Sequence, residues 1–192
     1  MHTFERYKEQ LSPIINNLRN NLPHFFVVEK ELQYMELPDG SVVLDFETTG
    51  LDEFEDEIVS YGIAKNNKVK VVCRLKASEE ELLQKLREDL EGVKVLYAFY
   101  SPFEEKFLRA RFSDWDDMGI EIRDLKRMSG RLTDIVRYSW GDMFDGSDVP
   151  NLWYNWKERL SFGSLTGIVH HNFADVMREV TLLFLLENGA FG

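Results

Sequence analysis

Apolar residues recur at threes and fours over residues 3–21, where Phe4, Tyr7, Leu11, Ile14, Ile15 and Leu18 share one face of a predicted helix. Pro13 falls inside this stretch and predicts a kink or a split, because proline lacks the amide a helical turn needs. Short strands are predicted at 25–28 and 32–37, with a turn at Pro38-Asp39-Gly40. The apolar lead-in Val42-Val43-Leu44 makes 41–47 the first core strand. Strands at 57–64 and 68–75 follow, joined by a hairpin turn at Asn66-Asn67. Ser78 and Glu81 form a capping-box pattern that opens a helix carrying Leu82, Leu83, Leu86 and Leu90 and stopping at Gly92. Residues 93–99 are nearly all apolar, as in a strand buried on both faces. Ser101-Pro102 opens another helix with proline at its first position. A strand at 120–125, helices at 131–140 and 151–160, and a last helix over 172–187 ending at Gly189 complete the pattern. Antiparallel-looking strands followed by strands alternating with helices predict an α/β domain over 41–192 with a mixed sheet flanked by helices. Residues 1–40 are expected to form a helical and extended extension packing on it.

Composition narrows the class. At 192 residues the chain is long enough for one well-buried core, and 44% hydrophobic with 30% charged residues is globular. A net charge of −11 argues against a non-specific duplex-DNA coat, which needs broad positive surface. Most of that excess acid reads as solubilising surface, and a metal-loaded acidic site is compatible with it. The single Cys73 excludes an intrachain disulfide and fits a reducing, cytoplasmic setting. No apolar stretch is long enough for a membrane span, and residues 1–8 lack a signal-peptide core.

The chemistry centres on Asp45 and Glu47. Side chains two apart on a strand share a face, so these carboxylates would stand together on a core strand. Such a pair repels and resists desolvation, which a hard divalent cation held by oxygen, Mg²⁺ or Mn²⁺, relieves. Two further acids are candidates to join them. Glu104 falls in the first turn of a helix just after a buried strand, although Ser101-x-x-Glu104 is also a capping-box spacing. Asp175 falls near the expected start of the last helix, where the helix dipole favours an acid in any case. His170 and His171 precede it, and either is a candidate general base near neutral pH.

The run Asp45-Phe46-Glu47-Thr48-Thr49-Gly50-Leu51, with Glu57-Ile58 and Gly62 downstream, resembles the first motif of the DEDD 3′–5′ exonucleases, proofreading-type enzymes with an RNase H-like fold. Residues 100–108 resemble their second motif and residues 169–175 their third, so the resemblance covers roughly 41–186. It implies that Asp45, Glu47, Glu104 and Asp175 hold two divalent cations, Mg²⁺ or Mn²⁺. Glu104 stands where the family usually has Asp, and Glu105 is the fallback should the helix register differ. The histidine subclass places its base five residues before the last Asp, at His170. The tyrosine subclass places its aromatic four before, at His171. His170 is taken as the base and His171 as the rival, with Asn172 standing where the histidine subclass usually has a small residue. The resemblance also implies contacts of the 3′-terminal nucleotide with the backbone near Thr48 and Thr49, with Leu51 under its base and Phe103 as a further base contact.

Arg123, Lys126, Arg127, Arg131 and Arg137, with Lys106, Arg109 and Arg111, could lead a strand's phosphates to the metals, or could sit on exposed faces paired with acids. Trp140, Trp153, Tyr154 and Trp156 could stack on bases, although burial explains them as well. The expected activity is 3′–5′ exonucleolytic hydrolysis of single-stranded DNA or RNA by a two-metal mechanism, with no membrane partner. The rivals are an RNase H-like structure-specific endonuclease and a catalytically weak nucleic-acid-binding module. The 1–40 segment is open to two uses, covering a sheet edge or building the interface of a homo-oligomer.

Overall fold

The alternating runs of the sequence pair into one mixed sheet. The computed structural model describes residues 13, 16–33, 36–126 and 130–190. After a helix α1 at 16–21, the chain forms β1 (Phe25–Glu31), β2 (Ser41–Thr48), β3 (Ile58–Lys65), β4 (Lys68–Arg74), α2 (Glu79–Asp89), β5 (Val95–Ala98), α3 (Pro102–Arg111), β6 (Glu121–Asp124), α4 (Leu132–Ile135), α5 (Val149–Arg159) and α6 (Phe162–Glu187). The strand order is β1-β4-β3-β2-β5-β6. The β1–β4, β4–β3 and β3–β2 pairs are antiparallel, whereas β2–β5 and β5–β6 are parallel.

The two faces of β2 define the layers. Val42, Leu44 and Phe46 pack into a core with Leu82 and Leu86 of α2 and Phe107 and Leu108 of α3. Val43 belongs to a second core with Val176, Val180 and Leu183 of α6. A third core joins Val59 and Val71 to Trp153 and Trp156 of α5 and to Ile168 of α6. Strand alternation therefore puts Asp45 and Glu47 on the α6 side of the sheet.

Gly62 on β3 lets α6 come close. A Cβ there would lie 2.5 Å from Val176 Cγ2 and 3.1 Å from Asn172 Nδ2. Gly62→Ala is expected to destabilise the protein by about 1–3 kcal/mol through overpacking. At roughly 2–4 °C per kcal/mol for a chain of this size, thermal unfolding should show the midpoint falling by several degrees.

Three expectations are corrected. No strand forms at the described positions of 32–37, because β1 leaves its partner at Glu31↔Lys68, where the Asn66-Asn67 hairpin ends. Leu32 instead donates its amide to the Asn67 carbonyl at 2.7 Å. The helix expected over 131–140 is the single turn α4, ended by extended Val136, and positive φ at Trp140 (49°) and Gly141 (79°) turns the chain onward. The last helix begins at Phe162 rather than near 172, with Ser161 accepting the Ser164 amide at its N-terminus. Gly163, Thr166 and Gly167 are weak helix formers and hide this start. Gly167 has a packing reason: a Cβ would meet the Phe144 ring at 2.9 Å. Of the helix expected over 3–21, residues 3–12, 14 and 15 lie outside the described residues, as does Arg127.

Candidate active site

Asp45 and Glu47 sit opposite Gly62 and Ser60 of β3. Asn172 fixes α6 over this pair. Its Nδ2 donates to Asp45 Oδ2 at 2.5 Å, and its Oδ1 accepts from Ser60 Oγ at 2.8 Å. His171, Asp175 and Glu179 then recur at the spacing of four that keeps them on one helix face. Asp175 lies in the middle of α6, not in a first turn, so the helix dipole does not account for it.

Glu104 arrives from α3. Ser101 at the N-cap has helical angles and makes no side-chain capping bond, so the capping box allowed by the spacing is not formed. Glu104 is buried, and its Oε2 has no hydrogen-bond partner among the described residues. Asp45, Glu47, Glu104, His171, Asp175 and Glu179 all line one open cavity of about 290 Å³. Glu47, His171 and Asp175 each offer it a ligand atom, and the three atoms lie within 4.8 Å of one another.

The two histidines separate. His171 Nε2 is 3.7 Å from Glu47 Oε1 and 3.6 Å from Asp175 Oδ2, while its Nδ1 is 2.9 Å from Asp142 Oδ2. His170 points elsewhere, with Nε2 at 2.8 Å from the Trp140 carbonyl in a groove lined by Phe26, Val28 and Phe173. Successive helical residues are about 100° apart, so only one of the pair can face the acids. Of the two, it is His171, the rival candidate, that the structure turns to the acids.

The acids strain one another. Burial pushes the Glu47 carboxyl well above its ordinary range, and the charges of Asp45, Asp175, Asp142 and Glu104 push it further. Burial does the same at Asp45, aided by Asp175 and opposed by Asn172 and Arg178. Glu104 is raised by burial and by Asp45, and Glu179 by burial and by Asp45 and Glu104. Burial also raises Asp175, against the opposing charges of His171 and Arg178. Asp142 goes the other way. Burial would raise it, but hydrogen bonds from His171 and the Phe144 amide, with Arg178 beside it, hold it below the usual range. An ionised Asp142 can only accept, so His171 Nδ1 donates to it, and Nε2 is the ring nitrogen turned to the cavity.

Among the other expected site residues, Thr48, Leu51 and Phe103 line the cavity. Leu51 is 76% exposed at its mouth, which removes core packing as its explanation. Phe103 packs against Phe107 with ring centroids 5.1 Å apart. Thr49 is absorbed by its own loop, with its amide on the Glu57 carbonyl and its hydroxyl on Asp56. Many of the basic residues are paired with acids: Arg109 with Glu105 and Asp116, Arg111 with Glu79, Arg123 with Glu121 and Arg131 with Asp145. Trp153 and Trp156 are core, whereas Tyr154 is exposed. Sequence reading missed Asp142, Arg178 and Glu179. Glu179 was legible in principle from its spacing to Asp175. Asp142 sits in an irregular loop, and nothing in its local sequence marks it.

The sequence profile of the RNase H superfamily matches residues 42–186. No curated protein shows significant similarity to the chain. Among solved structures, the family B DNA polymerase of the hyperthermophilic archaeon Pyrobaculum calidifontis is 13% identical with a TM-score of 0.56, over 76% of this chain and 24% of the polymerase. Brucella melitensis NrnC is 19% identical with a TM-score of 0.51, over 78% of this chain and 72% of NrnC. The chain thus spans about a quarter of the polymerase it resembles, and both likenesses are likenesses of fold.

Proposed function

The chain belongs to the RNase H superfamily, and on that premise we propose that it is a divalent-cation-dependent 3′–5′ exonuclease acting on single-stranded DNA or RNA ends. The observation that carries this reading is the meeting of Asp45, Glu47, Glu104, Asp175 and His171, drawn from a strand and two helices, at one open cavity. The residues fit hard cations: the donors on the cavity are carboxylate oxygens, and a buried Glu104 oxygen has no partner among the described residues. Asp45, Glu47 and Asp175 would hold one ion and Asp45 with Glu104 a second, and ions bound there supply Lewis-acid stabilisation of a phosphate and a more acidic water.

The protein's own groups do the rest. His171 Nε2 accepts a proton from the attacking water. Asp142 and Arg178 hold that imidazole in place, with Arg178 3.1 Å from Asp142 and also hydrogen-bonded to Asp175. Leu51 and Phe103 offer apolar surface to a terminal base at the cavity mouth. The test uses single-stranded oligonucleotides labelled at either end, with Mg²⁺, Mn²⁺ or EDTA. A 5′-labelled strand should shorten as a ladder and a 3′-labelled strand should release mononucleotide at once. One internal cut would indicate an endonuclease, and binding without cleavage would overturn the enzymatic reading.

The raised carboxyls have a consequence for stability. Unfolded Asp and Glu titrate near pH 4. Asp45, Glu47, Glu104 and Glu179 are raised above that, so over this window the folded protein binds more protons than the unfolded chain. Stability of the metal-free protein therefore falls as pH rises from about 4 through the folded-state values. A bound cation removes this penalty. The gain in unfolding midpoint on adding Mn²⁺ should be larger at about pH 8 than at about pH 5.5. Scanning calorimetry with and without EDTA measures it, and an equal gain at both would contradict it.

A further inference from the structure

Glu179 lies one helical turn beyond Asp175 and has no part in the reaction proposed for the cavity. It is 1% exposed, which is rare for a glutamate unless a partner compensates its charge. Its Oε1 accepts the Phe99 amide at 3.0 Å, just past the end of β5, and its Oε2 has no hydrogen-bond partner. Glu104, 2% exposed, has the same defect at its own Oε2. Two buried carboxylate oxygens in one cavity thus lack any donor among the described residues, a state native proteins rarely tolerate without an ion. The neighbouring guanidinium does not relieve them, because Arg178 is turned to Asp142, Asp175 and the Ser139 carbonyl. Of the other acids on this cavity, Asp45 is the one whose charge acts on both Glu104 and Glu179, and one of its oxygens is held by Asn172.

We propose that Glu179 is a cation ligand, which joins Asp45 and Glu104 at the second divalent-ion position, beside the one assigned to Asp45, Glu47 and Asp175. This rests on the cation-binding reading of the cavity and adds a ligand from α6 to it. The three residues come from β2, α3 and α6, so an ion there would tie both helical layers to the central strand. Glutamine at 179 keeps an oxygen for the Phe99 amide at nearly the same volume, while it removes the charge and replaces the second oxygen with an NH₂ that cannot ligate a cation. That makes Glu179→Gln the informative variant.

The experiment is Mn²⁺ titration of the full chain, followed by calorimetry and by the electron paramagnetic resonance signal of free Mn²⁺. The wild-type protein should take up two ions. Glu179→Gln should keep one and bind the other at least about tenfold more weakly. Glu104→Gln, on a different element, should weaken the same ion. The metal-free unfolding midpoint of Glu179→Gln should equal or exceed that of wild type, because a buried charge is gone. Two ions bound with wild-type affinities by Glu179→Gln would overturn the assignment while leaving the cation reading intact. Uptake of a single ion by the wild type would overturn it too, and uptake of none would overturn both.

Discussion

Asp45→Ala should lower Mg²⁺- or Mn²⁺-dependent cleavage by about 10³-fold or more, on the scale of losing a main electrostatic group from an active site. Asp45 is the one carboxylate shared by both proposed ion positions, so no neighbour can replace it. Stability should not fall with activity. Burial and the charge of Asp175 already disfavour the ionised form, and the Asp45 main-chain carbonyl, 3.3 Å from Asn172 Nδ2, is an acceptor that the substitution leaves in place. The paired measurement is a labelled-strand assay with a thermal melt of the metal-free protein. Lost cleavage with an unchanged or raised midpoint is the expected pattern. Undiminished cleavage would remove this cavity as the site.

The second large effect separates adjacent histidines. His171→Ala should reduce the cleavage rate by about 10²–10⁴-fold, the usual contribution of a positioned base. His170→Ala should leave the rate essentially unchanged, because its ring faces the Trp140 carbonyl. Asp142→Ala should fall between, at about 10–100-fold, as expected for a residue that orients another. Its effect should appear in kcat rather than KM, since Asp142 touches His171 and Arg178 and does not line the cavity. Equal losses from both histidine variants would contradict the arrangement.

The parts of this site legible in the sequence are those that depend on local periodicity. The pairing of Asp45 with Glu47 follows from strand alternation alone, and the structure puts both on the α6 side of β2. The mixed sheet was legible for the same reason, because the strand and helix runs alternate cleanly after residue 78. The choice between His170 and His171 was not legible. It depends on how α6 is rotated about its axis, which is set by Asn172 bridging Ser60 and Asp45 and by Gly62 admitting the helix. Those contacts link residues more than a hundred positions apart. The early glycines of α6 further hid its start, so Asp175 looked like a first-turn residue. Glu104 carried two readings on the same spacing, and only the backbone angles of Ser101 separate a cap from a free carboxylate. Asp142 depends on a loop whose course is set by positive φ at Trp140 and Gly141, which no periodicity reports.

The most direct test of whether these acids converge to hold cations is crystallographic. Crystals grown with Mn²⁺ and measured at the manganese absorption edge report ion positions independently of any assay. The expected result is an anomalous peak between Asp45, Glu47 and Asp175, within coordinating distance of their oxygens. An empty cavity at Mn²⁺ concentrations that support cleavage, or peaks confined to other parts of the surface, would contradict it.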